Sequence, residues 1–284
     1  KNTLKYNPFE NIDFEKENCK EKIEEIWKIL LEDDTENIKK LTDMTLEIYK
    51  EEDEIPNLSK VYTKFKNLNE NLENIDFLLE DDTMELLSKN EVDLKRIMDS
   101  AAPRNFFFGS DFYDKTSNKW NKILKILLHQ FSEYSKERGN IKEVLLILTE
   151  PFELGKIEKF AEKIKTFNEN NVRVFLAFNS VNQIERVYGD EAKEILDLFR
   201  TKVFFAPEDN ETAKYISNRI GTKPVADHSW FLKTVSVKEK IRLASPENLR
   251  KLSCAKEVVI IRNSEGHKNV FICNKNLLMD KYFK

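Results

Sequence analysis

The sequence has few residues that break or cross-link a chain. Only 6 Gly and 7 Pro occur among its 284 residues, which excludes collagen-like and linker-rich architectures. Apolar runs are also short: the longest, residues 144–148 and 174–178, reach five residues each, whereas a membrane-spanning helix needs about 20. The sequence therefore predicts a soluble segment, with neither a membrane helix nor a secretory signal.

Cysteine and histidine are scarce, and their spacing does not predict a metal site. No CxxC or HExxH motif occurs, and three distant cysteines do not form a disulfide framework. We expect reduced thiols of a cytosolic protein, with a metal site or a Cys/His nucleophile pair as the less favoured alternative. The residues concerned are Cys19, Cys254, Cys273, His129, His228 and His267.

Charge is distributed unevenly along the chain. The first 100 residues carry 27 Asp and Glu against 15 Lys and Arg, while the remaining residues carry 24 against 32. Affinity for nucleic acid comes mainly from Lys and Arg that neutralise phosphates, so the acidic front is a poor surface for DNA. It suits a protein partner, or it serves solubility alone.

Hydrophobic periodicity divides the chain into a helical part and an α/β part. Residues 19–31, 34–49, 59–68 and 72–87 have the spacing of amphipathic helices. From residue 105 onward, short apolar runs alternate with helical patterns, which is typical of βαβ units and a largely parallel sheet. We predict strands at 106–108, 143–148, 172–178 and 202–205, helices at 120–134, 157–167, 181–188 and 211–220, and a final hairpin from 257–262 and 269–273. The predicted domains are a helical domain, 1–100, and an α/β domain, 101–284.

Several motifs occur in a fixed order along the chain. Residues 145–155 (LLILTEPFELG) are similar to hhhhDEFxxLG, where h is apolar, and residues 173–189 (RVFLAFNSVNQIERVYG) to RhhhhxQSxxQLxxxYG. Residues 201–205 (TKVFF) and 209–217 (DNETAKYIS) are similar to TKIhF and DxETAxYIS, and 245–252 (SPENLRKL) to TPxExxxL. Residues 6–9 (YNPF) resemble the YNPh that leads into an all-α domain. Together these motifs resemble the TraG/TraD family of type IV secretion coupling proteins.

The resemblance implies a fold, partners and a location. The fold would be a RecA-like P-loop NTPase, with helices on both faces of a parallel sheet, an inserted all-α domain and a C-terminal β-hairpin. Such proteins sit at the cytoplasmic face of the bacterial inner membrane, typically as hexamers. They deliver relaxase-bound DNA or effector proteins to secretion-channel subunits, and the second half matches the part named for recognising the accessory protein TraM. ATP and Mg²⁺ would be the cofactors.

The resemblance also assigns four candidate catalytic positions, three of which depart from the family. Thr149 stands where an Asp would hold Mg²⁺, and Glu150 remains at the position that orients the attacking water. Asn168 occupies the arginine-finger position, and Asn179 replaces the Gln of the polar sensor. No GxxxxGK[ST] loop occurs in these residues; in the family it lies upstream of YNPh. We therefore predict that hydrolysis is lost or weak, unless neighbours such as Glu153 or Arg173 compensate.

Three functions remain open at this point. The first is an ATP-hydrolysing translocation motor whose P-loop lies upstream of residue 1. The second is a catalytically inert receptor whose acidic helical block docks a substrate or adaptor protein. The third and weakest is direct nucleic-acid binding by the basic part, with Lys156, Lys159, Lys163 and Arg173 as phosphate contacts.

Overall fold

A computed structural model describes residues 4–32, 34–68, 70, 72–99, 107–108, 118–137, 142–227 and 236–275, with side chains except at 118, 224–227 and 236–239. The chain divides into two compact units, residues 1–176 and 177–284. Within the described ranges, no helix combines the length and apolar character needed to cross a membrane. The domain boundary predicted at residue 100 stays a prediction.

The first unit is mainly helical. Its helices are α1 (Cys19–Leu31), α2 (Thr35–Glu52), α3 (Leu58–Lys66), α4 (Asp81–Leu86), α5 (Leu94–Asp99), α6 (Asn118–Glu137) and α7 (Phe160–Glu169). The predicted stripe of α1 is confirmed, because Ile23, Ile26, Trp27 and Leu30 are all buried in the core. Side-chain caps fix where helices begin: the carboxylate of Asp34 accepts a hydrogen bond from Asn37 N at 3.3 Å, before α2.

The N-terminal YNPF stretch belongs to this helical core. Tyr6 and Phe9 are buried, and the Tyr6 hydroxyl donates to Gln130 Oε1 of α6 at 2.7 Å. Gln130 Nε2 in turn donates to the carbonyl oxygen of Pro8 at 2.7 Å. Asn7 Nδ2 donates to the carbonyl of Pro56 at 3.1 Å. The motif thus joins the start of the chain to α6 through buried hydrogen bonds.

The first unit also contains two paired strands, β1 (Val144–Thr149) and β2 (Val172–Ala177), whose last residue reaches the second unit. They are joined through the 3₁₀ turn Pro151–Leu154 and α7, which is the connection of a βαβ unit. Alternate residues of each strand are exposed: Leu145 by 62%, Ile147 by 56% and Phe175 by 55%. Continuous apolar strands usually lie in sheets covered on both faces. In the described part of the unit, one set of side chains is left uncovered.

The second unit has helices α8 (Val181–Tyr188), α9 (Glu191–Asp197), α10 (Asn210–Ile220) and α11 (Pro246–Arg250). Its strands are β3 (Thr201–Phe204), β4 (Thr222–Asp227), β5 (Ser236–Arg242), β6 (Lys256–Arg262) and β7 (Lys268–Asn274). The predicted terminal hairpin is confirmed as the antiparallel pair β6–β7. β3 pairs with β6, also antiparallel, and β4 pairs with β5 in a separate ribbon.

Some predicted elements differ from the structure. Phe107 and Phe108 are outside any strand, and Phe107 is 93% exposed; Phe106 lies outside the described residues. The single helix predicted over 72–87 is a 3₁₀ stretch, Glu73–Leu79, followed by α4. The β4–β5 ribbon was not predicted, because its strands contain Pro224 and alternating lysines rather than an apolar face.

Candidate functional site

Thr149 and Glu150 lie where β1 ends, in the first unit. Thr149 is the last residue of the strand and is exposed, and Glu150 is half-buried. Glu150 has left-handed backbone angles, φ 49° and ψ 42°, which is uncommon for a residue with a long side chain. Such strained positions concentrate at functional sites. The left-handed backbone of Glu150 supports a role for this turn. Residues at four helix ends also have a positive φ.

The turn after Glu150 is held against α6. The backbone N–H of Glu153 donates to the carbonyl of Glu150 at 3.1 Å. Asn121 Nδ2 of α6 donates to the carbonyl of Glu153 at 3.1 Å. Gly155 then has a φ of 75°, and a Cβ there would lie 3.6 Å from Lys125 Nζ. These contacts fix the path of the chain at the carboxyl end of β1, where open α/β sheets bind ligands.

Asn168 lies in the last turn of α7, in the same unit. Its neighbour Phe167 is buried, with its ring 5.7 Å from that of Phe131, whereas Asn168 is exposed. Because this position faces away from the core of its unit, an arginine there would also be solvent-accessible. The exposure of this position suits a side chain that extends away from its own unit. Asn168 itself has no charge with which to stabilise a phosphate.

Asn179 belongs to the second unit and precedes α8. Its backbone N–H donates to Gln183 Oε1 at 2.9 Å, and Ser180 and Gln183 form a capping box at the start of the helix. Asn179 is exposed. The residue therefore contributes its backbone to the helix start, and the sensor role assigned to its side chain stays a prediction.

Of the two neighbours proposed to compensate, Arg173 is engaged away from Thr149. Arg173 Nε donates to Glu143 Oε1 at 2.8 Å, which places this ion pair beside the start of β1. A six-residue strand with a rise of about 3.3 Å per residue puts its two ends ~17 Å apart. Glu153 offers its backbone carbonyl to Asn121, as described above. Lys163, a candidate phosphate contact, donates to the carbonyl of Glu158 at 2.9 Å.

Comparisons with known proteins concern the region that contains these positions. Residues 143–253 match the family model described as the TraM recognition site of TraD and TraG. These matches support a type IV coupling protein of the TraG/TraD family. Protein VirD4 of Rhizobium radiobacter is 30% identical over 129 residues, which are 42% of this chain and 19% of that protein. Protein VirD4 of Agrobacterium fabrum is 30% identical over 134 residues, which are 44% of this chain and 20% of that protein.

Solved structures of conjugative coupling proteins share the fold of nearly the whole chain. The bacterial conjugative coupling protein TrwBdeltaN70, in a form with sulphate, matches 96% of this chain and 71% of its own with a TM-score of 0.65. TrwB in complex with ADP and Mg²⁺ matches 96% and 70% with a TM-score of 0.57. Identities of 13% and 14% show the fold alone, which is that of a RecA-like P-loop NTPase. The predicted fold class is confirmed. The matched stretch spans about a fifth of either VirD4 protein.

The described residues at the end of β1 do not by themselves fit a magnesium ion. Mg²⁺ prefers carboxylate oxygens together with the phosphates of its nucleotide. Thr149 offers a neutral hydroxyl, and Glu150 is the one carboxylate of the pair. Among the described residues, no group of three or more His, Cys, Asp or Glu side chains could hold a metal ion.

Two groups of residues with clear structural roles were not predicted from the sequence. The buried hydrogen bonds of Tyr6 and Gln130 could not be foreseen, because the residues are 124 positions apart. The second group is a set of cations around Lys202 in the second unit. The adjacent basic residues Arg200 and Lys202 are a sequence signal, but their neighbours in space come from positions up to 68 residues away.

Proposed function

We propose that this chain is the part of a type IV coupling protein that recruits relaxase–DNA complexes or effector proteins to the secretion channel, with little or no ATP hydrolysis of its own. The observation that carries the proposal is Thr149, a neutral residue at the end of β1 within the matched family region. A motor of this fold needs a carboxylate there to hold Mg²⁺.

The other candidate positions support the loss of hydrolysis. Asn168 and Asn179 are exposed amides. Asn168 cannot supply the positive charge that stabilises a phosphoryl-transfer transition state, and Asn179 is one methylene shorter than the Gln that it replaces. The basic Arg173 is paired with Glu143 at the other end of β1. No step is therefore assigned to ATP or Mg²⁺ in this chain.

The proposed role needs surfaces for other proteins. The partners would be secretion-channel subunits and substrate or adaptor proteins, among them an accessory protein of the TraM kind, at the cytoplasmic face of the inner membrane. Further copies of the chain would complete a hexamer. The first 100 residues, with 27 acidic against 15 basic side chains, form the candidate docking region for a basic partner.

A second candidate function is an active translocation motor whose P-loop lies upstream of residue 1. Glu150 favours it, because the carboxylate that would orient water is retained in a left-handed turn directly after β1. In that case the charges missing at Thr149 and Asn168 would come from elsewhere in the assembly.

Steady-state ATP turnover by the complete natural protein separates the two functions. We expect turnover at background, unchanged by Glu150→Gln, because the ion that positions the phosphates is not held. Thr149→Asp should raise turnover, whereas the neutral control Thr149→Asn should not. Wild-type turnover that Glu150→Gln abolishes would establish the motor and refute the loss of hydrolysis.

A further inference from the structure

Five cationic side chains surround a small cavity in the second unit. The cavity has a volume of about 320 Å³. Its cations come from the residue before β3, from β3 itself, from α10, from the end of β6 and from the start of β7. The lining residues are Arg200, Lys202, Arg219, Ile260, Arg262, Gly266 and Lys268.

One carboxylate stands against these five positive charges. Asp197 Oδ1 lies 2.5 Å from a guanidinium nitrogen of Arg219 and 3.9 Å from one of Arg262. Across the described ranges, no salt bridge joins Arg200, Lys202 or Lys268 to an acidic side chain. The cavity therefore keeps a strong excess of positive charge.

The two lysines of the cavity are held by neutral groups. Lys202 Nζ donates to the carbonyl of Phe199, and Lys268 Nζ donates to the carbonyl of Arg219. Carbonyl oxygens fix the position of an ammonium group without cancelling its charge. Burial, followed by the charges of Arg219 and Arg262, lowers the pKa of Lys202 to about 8, against the opposing effect of Asp197. Mutual repulsion between these cations therefore costs free energy, because the residues of the site do not neutralise their charge.

The backbone places three of the cations side by side. In the β6–β7 pair, Arg262 is directly opposite Lys268. The backbone N–H of Arg262 donates to the carbonyl of Arg200 at 2.9 Å, which aligns Arg200 with the same row. Like charges directly opposite each other on neighbouring strands are destabilising. Arg219 is oriented in addition by the ring of Tyr215, whose centroid lies 5.1 Å from the guanidinium carbon.

We propose that this cavity binds a phosphate-bearing anion of at least two negative charges, such as a diphosphate group. Guanidinium groups bind phosphate oxygens through two parallel hydrogen bonds, and Arg200, Arg219 and Arg262 surround one small volume. An isolated carboxylate would leave most of the positive charge uncompensated. A diphosphate on a small molecule supplies this charge in one group, and two neighbouring phosphodiesters of a nucleic-acid backbone, with one negative charge each, supply it together. The site is independent of the proposed recruitment function.

Calorimetric titration of the protein with inorganic pyrophosphate tests the site. The variant Arg200→Gln/Lys268→Gln removes two exposed cations of the cavity, and we expect a loss of affinity of about tenfold or more, because charge-assisted hydrogen bonds are lost. The matched control Arg186→Gln/Lys256→Gln removes the same charge from exposed positions of the unit outside the cavity. It should stay within about twofold of the wild type, since its charges do not line the cavity and are screened by salt.

Further arms identify the source of the phosphate. A single-stranded oligonucleotide that binds more tightly than pyrophosphate, and loses affinity with the cavity variant alone, would support the site with a nucleic-acid backbone as its source. Arg262→Lys should weaken pyrophosphate binding several-fold, because lysine retains the charge but not the planar fork. Equal losses in both double variants, equal competition by an acidic peptide, or no pyrophosphate binding by the wild type at millimolar concentration would overturn the proposal.

Discussion

The buried hydrogen bonds between the N-terminal YNPF stretch and α6 should make a measurable contribution to stability. Tyr6→Phe removes the hydroxyl that donates to Gln130 Oε1 at 2.7 Å. The alternative donor, Asn11 Nδ2, is 3.5 Å from this oxygen, which is too far to replace the lost bond. A buried hydrogen bond contributes about 1 kcal/mol net, and an acceptor left unsatisfied costs ~1–3 kcal/mol. We expect Tyr6→Phe to lower the free energy of unfolding by about 2 kcal/mol.

The partner substitution should cost more. Gln130→Leu leaves two buried groups without partners, the Tyr6 hydroxyl and the Pro8 carbonyl. We expect a loss of about 3–4 kcal/mol. The double variant should lose less than the sum of the two single variants, by about 1 kcal/mol, because the residues share one hydrogen bond.

Urea unfolding followed by far-ultraviolet circular dichroism measures these changes as shifts of the midpoint at constant slope. Tyr49→Phe is the matched control, because the Tyr49 hydroxyl donates to Glu15 at 2.9 Å in a solvent-exposed pair. It should change stability by less than about 0.5 kcal/mol. A Tyr6→Phe effect no larger than that of Tyr49→Phe, together with strict additivity in the double variant, would refute the reasoning.

Two further predictions concern charge. Lys202 has a pKa of about 8 in the folded protein, against an ordinary pKa of 10.5. Between pH values of about 8 and 10.5, this side chain binds more protons in the unfolded chain than in the folded one. The free energy of unfolding should therefore rise with pH in this range. Lys202→Met should flatten that rise in a pH series of urea titrations and Lys256→Met should not; an unchanged slope in Lys202→Met would contradict the assignment. For the acidic region, reversal to Lys of three exposed carboxylates for which the described residues provide no salt bridge should abolish co-purification of the secretion substrate, with three reversals in the second unit as the control; the first set is Glu17, Glu21 and Glu54, and the control set is Glu185, Glu208 and Glu247. Capture that survives the first set would exclude docking through that region.

Sequence patterns predicted the elements whose own residues determine them. α1 is placed correctly because four apolar side chains recur at helical spacing, and α10 ends at Gly221, whose φ of 101° suits a residue without a side chain. The 3₁₀ stretch before α4 was not distinguished from a helix, since both place apolar residues three or four positions apart. Its geometry depends on packing against α3, where the hydroxyl of Tyr62 donates to the carbonyl of Leu72 at 3.0 Å.

The candidate site was predictable only in part. A motif comparison located Thr149 and Glu150 at a strand end, and the structure has them there. The left-handed backbone of Glu150 could not be inferred, because glutamate has no preference for that region. The cationic cavity could not be predicted either, since Arg200 and Arg262 come together through the antiparallel pairing of β3 with β6, where a parallel sheet was expected. Arg219 joins them from α10.

The path of the chain at residues 5 and 6 has a consequence for how the helical segment that follows can vary. The N–H of Tyr6 donates to the carbonyl of Leu86 at 2.7 Å, and the N–H of Glu91 donates to the carbonyl of Lys5 at 2.8 Å. The chain therefore leaves the segment of about residues 7–85 beside the point where it enters. A segment whose two ends adjoin can be gained, lost or exchanged without displacing its host. We therefore expect relatives to differ here in length and in sequence, while the remainder of the fold keeps its place.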